Sequence, residues 1–445
     1  MPEAVSPARR AEVIDALRRG TVPQVGLDLF AVGMERFERA IDEELDSVVA
    51  GRATFKAVRG EYGAGKTFFA RWLAERAKRR GMAAAEVQIS ETETPLHRLE
   101  TVYRRLVEQL STAAYPPSAL REVIDAWFYT LEEDVLAEGE IGPDDTDALA
   151  VAVDELLERR LAAVARTTPA FAAALRAYWK ATGGNDQATA QALLAWIGGQ
   201  PNVSAAAKRA AGVKGDLDHF AALGFLQGLL TILRDSGHPG LLLVLDETET
   251  LQRVRSDVRD KGLNALRQLA DDVDSGRFPG LYLLITGTPA FYDGPQGVTR
   301  LTPLAQRLAT DFGTDPRFDS PRAVQVRLTG FDLPKLARLG AAIRDVYTVG
   351  LGDDAKDRIG KLADDAYLRD LAAAVAGELG GQVGVAPRVF LRKLVADVLD
   401  RVTDFADFDP RLHYKLTLSP GELTATERNA AAFRPETADD VDLDL

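Results

Sequence analysis

The sequence predicts an α/β protein in which a parallel sheet carries a large all-helical insertion and a C-terminal helical lid domain. Three observations lead there. Residues 60–67 read GEYGAGKT, between a short β-favouring segment and an amphipathic helix. Residues 241–247 read LLLVLDE and residues 281–286 read LYLLIT, the short apolar runs of strands buried on both faces. The stretch 96–235, which separates the two motifs, is helical in pattern almost throughout.

At 445 residues the chain exceeds one ordinary hydrophobic core, so two or three packed units are expected. No apolar run approaches the roughly 18 residues that a membrane span requires. The first twenty residues contain two Arg pairs but no apolar segment behind them, so a secretion signal is not expected and the cytoplasm is. With 0 Cys there is no disulfide, thiolate metal site or cysteine nucleophile. His97, His219, His238 and His413 show no ligand spacing, which argues against a zinc site built by the protein. The net charge of −13 opposes a surface that coats nucleic acid, although a local basic strip could still do so. Residues 436–445, ETADDVDLDL, have the composition of a solvated, disordered tail.

In chain order, Val13, Ile14 and Leu17 and then Phe37, Ile41, Leu45 and Val48 mark two helices, over 8–19 and 34–49, around a Gly/Pro-containing loop. TFKAVRG is a strand that runs into the glycine-rich segment, and FFARWLAERAKRRG is the helix behind it. AEVQIS, at 85–90, is the next strand. Four amphipathic segments, LHRLETVYRRLVEQL, EVIDAWFYTLEEDVLA, LAVAVDELLERRLAAVA and FAAALRAYWKA, suit a bundle of their own. LAWIGGQPNV breaks the series before the helix that leads into LLLVLD. After residue 330 three further helical segments form a small domain expected beside the nucleotide. The boundaries are therefore 1–50 (N-terminal helices and adenine-side loop), 51–95 and 236–330 (the two parts of the sheet core), 96–235 (insertion), 331–415 (lid) and 416–445 (acidic tail).

The segment 60–67 satisfies G-x-x-x-x-G-K-[ST] in the strand–loop–helix context that the pattern needs. Gly60, Gly63 and Gly65 let backbone amides close around phosphates at a helix N-terminus. Lys66 would bridge the β- and γ-phosphates, and the Thr67 hydroxyl, with Phe68 beside it in the site, would complete a Mg²⁺ shell. Asp246 would hold the same Mg²⁺ through water, and Glu247 would polarise the water that attacks the γ-phosphate. Two acids after a strand also suit a helix N-cap with a first-turn acid, but beside a phosphate loop the chemical reading prevails. ATP and Mg²⁺ are thus the expected ligands. WIGGQ (196–200) and LGGQ (379–382) echo an ABC-transporter signature; the first lies too far ahead of Asp246 and the second follows it. In KRAAGVKG, Lys208, Arg209 and Lys214 are the best local candidates for contact with a phosphate backbone, against the alternative of a solvated loop.

Phe30–Phe37, FAVGMERF, resembles the box ahead of the phosphate loop in AAA+ and STAND ATPases, with Met34 where an Arg is usual. That resemblance places Val32 and Gly33 on the adenine and implies an AAA+/STAND-type P-loop NTPase sheet. It also implies a γ-phosphate sensor at Thr286 or Thr288, which stays open because both also suit turn or capping roles before Pro289. Arg307 would be a finger reaching into a neighbouring subunit of a homo-oligomer, or a solvated arginine, and Arg388 a second sensor across the lid. Along nearly the whole chain, GEYGAGKTFFARWL, EVQISETETPLHRLETVYRRL, NALRQL and GVAPRVFLRKLV resemble the BrxD group of BREX phage-defence ATP-binding proteins. This implies a bacterial, cytoplasmic ATPase that works with other BREX components to restrict phage DNA while a methyltransferase marks the host genome.

Two functional expectations follow. One is an ATPase whose turnover remodels duplex DNA or a defence complex on it. The other is a slow nucleotide-gated switch or scaffold that docks partners on its helical insertion. A small-molecule kinase is disfavoured, since no second acceptor-binding pattern is present.

Overall fold

The computed structural model describes residues 6–139, 142, 144–379, 387–419, 421, 423 and 428. Five strands, β1 (Thr54–Arg59), β2 (Ala83–Gln88), β3 (Leu241–Asp246), β4 (Leu281–Gly287) and β5 (Gln325–Arg327), form one parallel sheet in the order β2-β3-β4-β1-β5. Every residue of β3 and β4 is buried, as continuous apolar runs in a covered parallel sheet require. The register aligns Gln88 with Asp246, Leu245 with Ile285, and Val58 with Thr286, so the C-terminal ends of four strands share one edge. Open parallel sheets bind ligands at that edge.

Side-chain alternation divides the packing between two faces. Ala83, Ala85, Leu241, Leu243, Leu245, Leu281 and Leu283 point into one core, which they share with the insertion helices. Ala84, Leu242, Val244, Tyr282 and Leu284 point the other way, against the helices α2 (Glu35–Val49) and α3 (Lys66–Arg79). The insertion comprises eight helices among the described residues: Leu99–Gln109, Leu120–Ala137, Thr146–Arg160, Ala162–Thr167, Pro169–Gly183, Gln187–Ile197, Ala205–Ala210 and His219–Asp235. It is not a bundle with a core of its own, because its aromatic residues Trp127, Phe171, Trp196 and Phe225 pack in the same cluster as the sheet. LAWIGGQPNV is only partly a break, since its first residues end the helix Gln187–Ile197.

The third core belongs to the lid, whose helices are Leu333–Thr348, Asp353–Leu362, Asp365–Glu378 and Pro387–Arg392, the last continuing through the π-helical Lys393–Leu399 into Asp400–Asp404. The helix α1 (Pro7–Arg18) joins this core through Val13, Ile14 and Leu17. Arg10 donates to the Tyr347 carbonyl (2.9 Å) and Arg18 to Asp400 (2.7 and 2.9 Å), tying α1 to the lid. Arg9 pairs with Glu75 of α3 (2.6 Å), and Glu75 accepts the Gly26 and Leu27 amides (3.0 and 2.9 Å), which fixes the chain after α1 beside α3. Residues 6–50 therefore divide between two cores.

β2 starts two residues earlier than its apolar pattern suggested, and β5 is too short to register as a run. The acidic segment 436–445 lies outside the described residues, as does LGGQ beyond Leu379. No helix among the described residues is long and apolar enough to cross a membrane.

Candidate functional site

β1 ends at Arg59 and the chain turns through Gly63 (φ +78°) and Gly65 (φ +94°) into α3. Both glycines occupy the left-handed region, where a Cβ is costly, and the turn leaves the first amides of α3 open at its N-terminus. Gly60 lies beneath the loop, where its carbonyl accepts from Lys66 Nζ (2.9 Å); the Glu61 carbonyl also accepts (3.4 Å). The Lys66 ammonium sits 5.1 Å from the centre of the Tyr62 ring and 3.7 Å from Glu249 Oε1.

Across the sheet edge, Thr67 Oγ1 donates to Asp246 Oδ2 (3.1 Å) and Thr286 Oγ1 donates to Asp246 Oδ1. The Glu247 amide donates to Asp246 Oδ1 (3.1 Å) and Thr286 Oγ1 (3.2 Å). Thr286 is wholly buried behind Asp246 and orients it, rather than reaching the cleft. Glu247 has left-handed backbone angles (φ +60°, ψ +40°), which cost a non-glycine residue about 1–2 kcal/mol. Its carboxylate accepts from Gln88 Nε2 (3.0 Å) at the end of β2. Glu249 is 4 % exposed, and burial pushes its carboxyl up from the usual range while Lys66 pulls it down.

These groups open into a cleft of about 490 Å³ between the sheet edge, α1 and the lid. Of the residues singled out from the sequence, Val32, Gly63, Gly65, Lys66, Thr67, Phe68, Asp246, Glu247 and Arg388 line it. Its apolar end is built from Leu17, Val22, Phe30, Phe331, Leu339 and Leu391, and Phe68 meets Phe30 edge-on at 5.3 Å. A larger recess of about 950 Å³ runs along β2, and two pairs of its wall charges are matched to each other, Arg71 with Glu86 (3.0 Å) and Arg105 with Glu93 (2.8 Å).

Four of the expected residues lie away from the cleft or are engaged elsewhere. Gly33 (φ +90°) turns the chain towards α2 and does not line the cleft. Thr288 caps the short helix Pro289–Asp293 by accepting the Phe291 amide (3.4 Å). Arg307 ion-pairs with Asp271 and Asp274 on the helix Ser256–Asp274 of its own chain. Lys208 is bound to Asp216 (2.6 Å), which removes one of the three cations proposed for a phosphate backbone.

The BREX system ATP-binding protein BrxC/D family matches residues 5–418, spanning the sheet, the insertion and the lid. The chain belongs to that family. No curated protein matches it. BrxC/D membership assigns ATP binding and a place in BREX defence, and the family match covers residues 60–67 and the cleft together.

In this BrxC/D protein, sequence reasoning missed Gln88, Glu249 and the contribution of α1. Glu249 had a visible signal, a third acid just past Asp246 and Glu247, but nothing in the spacing says that it turns inward. Leu17 and Gly20 gave none, because an apolar face does not name the surface that covers it.

Proposed function

We propose that this BrxC/D protein is an AAA+/STAND-like ATPase of the BrxD group, which hydrolyses ATP in the cleft between sheet and lid and couples turnover to remodelling of DNA or of a defence complex. The observation that carries this is the bond from Thr67 of the phosphate loop to Asp246 of β3, at the mouth of the cleft. The strand inserted between β1 and β3 also suits an additional-strand ATPase.

The open amides of α3 and the Lys66 ammonium would take the phosphates. The apolar end of the cleft, with Val32 and Phe68, would take the adenine. The Thr67 hydroxyl and Asp246 carboxylate are hard oxygen donors of the kind Mg²⁺ prefers, and the ion would supply charge neutralisation between the β- and γ-phosphates. Glu247 would accept a proton from water as its oxygen attacks the γ-phosphorus and the bond to ADP breaks. For that, its carboxylate must leave Gln88. Arg388, reaching from the lid, would read the γ-phosphate and pass its loss to the lid domain. A role for Arg307 in a neighbouring subunit requires that its pairs with Asp271 and Asp274 release. Other BREX components, duplex DNA and a homo-oligomer in the cytoplasm belong to the same reading.

A slower nucleotide-gated switch is favoured by one observation, the Glu247 carboxylate held by Gln88. Phosphate release from wild type and Glu247→Gln, with and without duplex DNA and alongside native mass, separates the two. Remodelling predicts turnover that rises with DNA and falls about 10²–10⁴-fold in Glu247→Gln. Slow turnover indifferent to both DNA and Glu247 supports the switch.

A further inference from the structure

Glu249 is a buried carboxylate that the hydrolytic scheme does not use. It lies on the tight turn Thr248–Gln252, and neither of its oxygens accepts a hydrogen bond from another residue. Buried carboxylates ordinarily collect donors, because losing water without replacement is costly. The turn gives it little freedom to find any. Thr248 Oγ1 donates to the Thr286 carbonyl (2.6 Å), Thr250 Oγ1 to the Ile89 carbonyl (3.4 Å), and the Thr250 amide to the Glu247 carbonyl (3.1 Å). The backbone that carries Glu249 is therefore anchored to β4 and to the end of β2.

Among the described residues, the cation within ion-pair range is Lys66, 3.7 Å away. That ammonium is turned back onto the carbonyls of Gly60 and Glu61, its own loop, with Glu249 on its flank. At 3.7 Å the two charges attract without a hydrogen bond, so the pair compensates charge and leaves the lysine's donors to other acceptors.

We propose that Glu249 is a positioning residue, the internal counter-ion of Lys66, which competes with nucleotide phosphates for the lysine and so sets the affinity of the site for phosphate. The inference rests on the reading of the cleft as an ATP site. Phosphates entering the loop bring negative charge to a lysine whose charge is already partly compensated, and they do so beside a fixed carboxylate. Both effects oppose binding. A neutral residue of the same shape removes both, so its expected effect is a gain.

MgATP, MgADP and adenosine are titrated into wild type, Glu249→Gln, Glu249→Leu and Glu249→Asp by calorimetry, with melting temperatures measured in parallel. The neutral variants should bind MgATP and MgADP about five- to tenfold more tightly than wild type, leave adenosine unchanged, and melt no lower. Glu249→Asp, which keeps the charge, should return towards wild type. If Glu249 instead serves structure, the neutral variants bind more weakly or fail to fold, and either result overturns the proposal, as does unchanged affinity. A wild type that binds no MgATP overturns the ATP-site reading itself, a result distinguishable from failure of the counter-ion.

Discussion

The Asp246 carboxylate is fixed by two threonine hydroxyls from different elements. Thr67 donates to one oxygen and Thr286 to the other, so the side chain is held from the helix side and the strand side together. Thr286→Val keeps the volume but removes a donor in a wholly buried place, and should cost about 1–3 kcal/mol in denaturant unfolding while lowering turnover more than ATP affinity. Lys66→Ala acts differently. On the proposed ATP-site reading it removes a charge-assisted contact to phosphate, and ATP affinity should fall by about 100-fold in the same calorimetric titration. An affinity within a few-fold of wild type would show that the phosphates lie elsewhere.

Among elements, the helix His219–Asp235 precedes β3 in the chain and shares its core. Its close approach to the helix Pro169–Gly183 depends on Gly228, where a Cβ would lie 2.4 Å from the Phe171 ring. Phe171 is wholly buried and has nowhere to move. Gly228→Val should therefore destabilise the chain by about 1–3 kcal/mol, read as a lower denaturant midpoint, although helix propensity alone favours the change. On the other side of the sheet, Lys56 in β1 pairs with Glu44 of α2 (2.7 Å) and donates to the Pro321 and Ala323 carbonyls (2.9 and 3.1 Å). A buried lysine there holds the segment that enters β5, which explains why so short an edge strand is in register.

At the scale of the molecule, the cleft is a junction between cores. The sheet edge supplies the glycine-rich turn and the acids, whereas α1 and the lid supply much of the apolar end and Arg388. A ligand that touches both should hold them together. Saturating MgATP at about 100 times its Kd should raise unfolding stability by about 2.7 kcal/mol in wild type and much less in Lys66→Ala at the same concentration. A melting temperature indifferent to MgATP in wild type would contradict a nucleotide shared between the sheet and the lid.

Much of this was legible from the chain. LLLVLD and LYLLIT announce central strands because a strand covered on both faces must be apolar at every position. GEYGAGKT announces a tight glycine turn between β1 and α3, because left-handed backbone at Gly63 and Gly65 admits little else. Local rules of that kind need no knowledge of neighbours. Tertiary structure alone decided the rest: that α1 completes the lid's core, that the insertion shares the core of the sheet, that Thr286 faces Asp246 while Thr288 caps a helix, and that Arg307 is engaged by Asp271 and Asp274. It also turned Glu249 inward towards Lys66. Periodicity tells which face of an element is apolar and spacing tells which residues can act together, but the partner on the far side of a buried surface is fixed only when the whole chain packs.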